Sequence, residues 1–112
     1  MNSVQPDLFS FVDVNYDAGL TLEDRFWQFH YSNPWVFVEL VRLARYAKEQ
    51  GRRKIGIAML VERLRWSYEI ETNANDQWKL NNSYRSFYAR HIMATCSDLD
   101  GFFETRELRA VA

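Results

Sequence analysis

A chain of 112 residues, nearly half of them apolar, has the length of one domain and enough side-chain volume for one core. Its single cysteine, Cys96, excludes an intramolecular disulfide and a multi-thiolate metal site, and points to a reducing cytoplasm. The net charge of −1 conceals a segregation, because residues 1–24 carry five acids and no Lys or Arg, whereas residues 25–65 carry nine bases against three acids; a basic middle of this kind predicts an anionic partner.

The first 20 residues set Asp7, Asp13 and Asp17 among scattered apolar positions and read as an acidic arm that either pairs as a short strand or docks on the body. Residues 21–112 read as a single helical domain. The acidic start does not look like a signal peptide, and no apolar run approaches the roughly 20 residues that span a bilayer, so a cytoplasmic protein away from membranes is expected. Thr21 offers an N-cap, with Glu23 and Asp24 placed against the positive end of a helix running from Leu22 to about Tyr31. Asn33-Pro34 breaks that helix, and Pro34 suits the first position of the next, where its missing N–H costs nothing. Phe37, Leu40, Val41, Ala44 and Ala47 then recur at helical spacing up to Gly51, a left-handed stop.

Arg52-Arg53-Lys54 forms a basic connector ahead of a third helix, marked by Ile57, Leu60, Val61, Leu64 and Tyr68. Beyond it, residues 68–72 and 77–81 alternate by twos around the turn-rich 73–76, which predicts a small β-hairpin. Asn81, Asn82 or Ser83 can cap a fourth helix burying Tyr84, Phe87, Tyr88 and Ile92. Asp98, Asp100 and Gly101 end it, leaving Phe102, Phe103 and an amphipathic tail at Glu104–Arg109. The expected fold is mainly α with a small β element: a compact bundle of about four helices, the hairpin between the third and fourth, of helix-turn-helix-like or winged-helix-like type. Aromatic residues make up 16 % of the chain, more than so small a body hides easily, so some are expected at a homodimer interface.

Several stretches carry a resemblance: Phe29-His-Tyr-Ser-Asn-Pro, Leu43-Ala-Arg, Gly51-Arg-Arg-Lys-Ile-Gly-Ile, Leu64-Arg-Trp, Lys79-Leu-Asn-Asn-Ser-Tyr-Arg, Tyr88-Ala-Arg and Phe103-Glu-Thr-Arg-Glu-Leu. Across nearly all of residues 26–109 the chain resembles a family of small, uncharacterised proteins encoded in bacteriophage and prophage genomes. The resemblance implies expression in a bacterial host cell and a role in phage biology, and brings no catalytic or ligand-binding residues with it.

The sharpest functional expectation is binding of double-stranded DNA. With Tyr84, Phe87, Tyr88 and Ile92 inward, Asn82, Arg85, Ser86, Ala89 and Arg90 would face solvent. Arg meets guanine with two donors, Asn meets adenine, Ser bonds phosphate, and a small Ala lets the helix approach the groove. Arg52, Arg53 and Lys54 would neutralise phosphates, and the hairpin would act as a wing. Against the motif stands its spacing, since about a dozen residues separate the two helices where a helix-turn-helix uses 3 to 4. For Arg42, Arg45 and Lys48 the plainer reading is a solvated helix face paired with Glu39 or Glu49.

Catalysis is not expected. His30 and His91 show no metal-ligand spacing, Cys96 lacks a partner base, and no cofactor motif is present. Stacking of single strands on Trp66, Trp78 or Tyr84 is weaker than the view that these rings close the core, where Met59 and Met93 serve as filler. The alternative from another class is an interaction protein that inhibits or redirects a host or defence protein through acidic and aromatic surface, a reading that net acidity favours.

Overall fold

A computed structural model describes residues 10–14, 16, 18–72 and 77–104. The first nine residues of the acidic arm, the expected turn at 73–76 and the tail beyond Glu104 lie outside the described residues.

The two helix starts marked in the sequence form as their caps dictate. The Asp24 N–H donates to Thr21 Oγ1 at 3.0 Å and opens α1 (Leu22–Ser32); Pro34 opens α2 (Pro34–Glu49) directly behind Asn33. Gln50 closes α2, and Gly51 follows at φ +97°. A side chain there would meet no neighbour but would be held in the left-handed region. Gly51→Ala is therefore expected to destabilise the fold by about 1 kcal/mol, read as a lower denaturation midpoint at unchanged m-value.

α3 (Ile57–Trp66) packs on both α2 and α4 (Arg85–Thr95). It buries Ile57, Leu60, Val61 and Leu64, α2 buries Val36, Leu40, Val41 and Ala44, and α4 buries Tyr88, Ala89 and Ile92. Phe26 of α1 is wholly enclosed, stacked on Phe87 and edge-on to Tyr88 of α4.

No strand exists among the described residues, and the expected hairpin and wing are corrected accordingly. Ser67–Glu71 continues α3 as a π turn, closed by the Thr72 N–H donating to the Ser67 carbonyl at 3.0 Å. The cause is side-chain placement. Tyr68 follows Leu64 by four residues, extends the buried stripe of α3 and is 1 % exposed, whereas Ile70 stays outside. The Arg63 guanidinium and the Ser67 hydroxyl both donate to Glu71 Oε1 and brace the turn; with the serine bond first and Arg63 second, they hold the Glu71 carboxyl below its ordinary range. Residues 77–81 run irregularly, with Trp78 packed on Phe11 and Tyr68 and with Leu80 buried. Asn81 then caps a single 3-10 turn (Asn82–Tyr84) that leads into α4, its Oδ1 accepting from the Ser83 N–H at 2.8 Å.

Phe102 and Phe103 return the chain to the connector before α3. Ile55 and Phe103 form an isolated parallel bridge, in which the Ile55 N–H donates to the Phe102 carbonyl at 3.0 Å and the Glu104 N–H donates to the Ile55 carbonyl at 2.9 Å. The described part of the arm docks. Phe11 is buried among Phe29, Trp35, Tyr68 and Trp78, and Asn33, wholly buried, holds the backbone of Val12. No helix of the described residues is long and apolar enough to cross a membrane.

A cationic cleft at the starts of the third and fourth helices

The structure sorts the basic residues into two sets. Arg42 pairs with Glu39 at 2.9 Å, Arg45 with Asp98 at 2.9 Å, Arg63 with Glu71 at 3.2 Å and Arg65 with Glu69 at 3.3 Å. Lys79 pairs with Asp13, and Lys48 donates to the Asp98 carbonyl. These contacts are exposed and add little stability, yet they neutralise much of the basic middle. The expected Glu39 pairing of Arg42 forms; Arg45 and Lys48 turn instead to Asp98, a partner far along the chain. Arg45 holds the Asp98 carboxyl below its ordinary range.

Arg25, Arg52, Arg53, Lys54, Arg85 and Arg90 have no carboxylate partner among the described residues. Arg25 stands apart from the others, half-buried on α1 near Tyr16. Four of the seven residues marked in the sequence, Asn82, Arg85, Ser86 and Arg90, line one cleft of about 510 Å³. Its opposite wall is the beginning of α3, supplied by Gly56, Ile57 and Ala58. No side chain caps that end of α3, so its free N–H groups and the positive end of its dipole add to the cationic character.

Arg52, Arg53 and Lys54 immediately precede this wall and are exposed. Arg52 lines a separate groove between α2 and α3, so the connector flanks the cleft without entering it. Ala89 corrects an expectation: it lines the cleft but is 2 % exposed, because α4 packs on α3 and α2 and also takes ring contacts from α1, so little of its circumference is left free.

Two contributors escaped the sequence reading, Gly56 and Glu104. The Glu104 carboxylate lies in the cleft, with Oε2 3.9 Å from where a Cβ on Gly56 would stand. Forty-eight residues separate the two positions, and no local pattern announces their meeting.

His30 and His91 meet at 5.1 Å between ring centroids, on the other side of α4. No group of three or more metal-ligating side chains gathers among the described residues. Burial, and then the neighbouring His91, push the His30 pKa down; burial also lowers that of His91. The unfolded chain, with His near 6.5, takes up protons first as pH falls. Stability from this pair is therefore complete above that value and lost below it. The midpoint of thermal unfolding is expected to fall between pH 7 and pH 5, and less so in His30→Gln. Equal slopes in both proteins would contradict this.

Comparison with known proteins gives no match to any family profile, curated protein or solved structure.

Proposed function

We propose that this is a phage-encoded, non-catalytic protein that binds nucleic acid, foremost double-stranded DNA, in a bacterial host cell. The observation that carries the reading is the sorting of charge. Apart from Arg25, the described basic residues left without carboxylate partners are Arg52, Arg53, Lys54, Arg85 and Arg90, and these five lie around the start of α3 and the first turns of α4. Phosphate suits such a place, since guanidinium groups, free helix N–H groups and the hydroxyl and amide of Ser86 and Asn82 all donate to it. Residues 67–84 separate α3 from α4, far more than a helix-turn-helix turn, so contact is end-on, with the helix starts against the backbone.

The test is equilibrium binding of a short DNA duplex over a range of salt. If all five cations meet phosphates, log K falls against log salt with a slope of about −4.5. A flat dependence, or no binding at low salt, would remove the proposal.

A second reading, docking of a host or defence protein, draws on the groove between α2 and α3. It holds about 700 Å³ among Leu43, Tyr46, Ala47, Met59 and Leu60, with Arg42, Arg52 and Arg63 on its rim. Tyr46 and Met59 are more than half exposed, so Met59 is not the core filler expected from sequence. Trp66 and Ile70, also more than half exposed and one turn apart, are where a homodimer would pack. Met59→Glu would abolish partner binding under this reading and leave duplex binding intact.

A further inference from the structure

We propose that the aromatic cluster next to the cationic cleft is a stacking site for unpaired nucleobases, so that the preferred target is a duplex carrying a single-stranded extension. The inference rests on the nucleic-acid reading above and specifies the form of nucleic acid. Three helices contribute rings to one surface: Trp27, His30 and Tyr31 from α1, Phe37 from α2, and Phe87 and His91 from α4. Trp27 meets His91 edge-on at 4.9 Å and lies nearly parallel to Tyr31 at 5.8 Å, while Phe37 approaches His91 to 5.0 Å. The indole N–H of Trp27 donates to Glu23 at 3.4 Å, which fixes its plane.

None of these six rings is fully buried, and Tyr31, at the outer end, is 73 % exposed. Both imidazoles are held below their ordinary pKa by burial, so the charges beside the rings are those of Glu23 at the Trp27 indole and Arg90 over Phe87. Tyr31 offers the most open π-face, since Phe87 is already stacked on Phe26 and has the Arg90 guanidinium over its ring.

Arg90 joins this surface to the cleft. It lines the cleft, and its guanidinium carbon stands 5.0 Å over the centroid of Phe87, which lies one helical turn before His91. Cations with no carboxylate partner among the described residues and a half-open aromatic face thus run side by side along α4. A ligand that satisfies both has anionic groups along a backbone and flat rings beside them, which is the chemistry of a single strand. A blunt duplex keeps its bases stacked on one another and uses only the cations.

The test compares one blunt duplex, the same duplex with a five-nucleotide thymidine extension, and the same duplex with a five-nucleotide abasic extension of equal charge. The thymidine extension is expected to tighten binding about ten-fold over the abasic one. Tyr31→Ala, an exposed change compatible with folding, should erase that difference and leave blunt-duplex affinity unchanged. Quenching of tryptophan fluorescence by the thymidine extension should be absent in Trp27→Phe. Equal affinity for the thymidine and abasic extensions, with blunt-duplex binding intact, overturns the stacking site alone. Failure of all three DNAs to bind overturns the nucleic-acid reading beneath it.

Discussion

Replacing both Arg85 and Arg90 with glutamate is expected to weaken duplex binding at least a hundred-fold near 0.1 M salt. Every phosphate that goes unneutralised takes about 0.9 off the log–log salt slope, which at that concentration is close to a factor of ten in affinity. The double variant should therefore show a slope shallower by about two, measured by titrating duplex at several salt concentrations. Reversed charge adds repulsion to this. Arg85 is half-buried and Arg90 exposed, and neither makes an ion pair among the described residues, so the fold should survive, as an unchanged circular dichroism spectrum would show.

Two companions sharpen the measurement. Arg45→Glu alters formal charge by the same amount per site but removes a cation already paired with Asp98; its effect on the slope should be small. Glu104→Gln removes the carboxylate inside the cleft and should tighten binding several-fold. If Arg45→Glu and Arg85→Glu behave alike, bulk charge governs binding and the cleft has no special role.

The largest effect on stability is expected at Asn33. This side chain is wholly enclosed and uses both ends of its amide: Oδ1 accepts from the Val12 N–H at 2.6 Å, and Nδ2 donates to the carbonyls of Phe29 at 3.2 Å and Val12 at 3.4 Å. Asn33→Ala removes both partners of the Val12 backbone and leaves a void in a wholly buried position, while the Phe29 carbonyl keeps the N–H of residue 33 at 2.9 Å. Backbone groups left without partners cost about 1–3 kcal/mol each. A destabilisation of about 3 kcal/mol overall is expected, enough to lower the thermal midpoint by about 10 °C or more in a chain of this size. Phe11 should become accessible as the arm lifts, which limited proteolysis ahead of α1 would report. A change of less than about 1 kcal/mol would show that the arm contributes little to the core.

Local chemistry made much of the helical framework legible. Thr21, Pro34, Gly51 and Asn81 act within a few residues of themselves, through caps and fixed dihedral angles, and each marks the boundary it should. The π turn was hidden because Tyr68 and Ile70 satisfy a period of two and Leu64 with Tyr68 satisfy a period near four; only packing on the arm and Trp78 decides between them. Asn33 read as a breaker, and its burial depends on Val12, twenty-one residues earlier. The cleft was legible on its α4 side, where Asn82, Arg85, Ser86 and Arg90 share a short stretch of chain. Its other wall was not, because Gly56 and Glu104 meet through the tertiary fold. The division of cations into quenched and free was equally hidden, since Arg45 and Lys48 find Asp98 some fifty residues away.

The bridge between Ile55 and Phe103 bears on how the protein comes into being. The loop that carries Arg52, Arg53 and Lys54 is anchored on its far side by residues at the other end of the described chain, so closing it means joining points 48 positions apart. During synthesis the first three helices precede Phe102 and Phe103 by more than thirty residues, whereas α4 precedes them by only a few. The connector that carries the three cations thus takes its final place only after Phe102 and Phe103 have been made and have docked against Ile55.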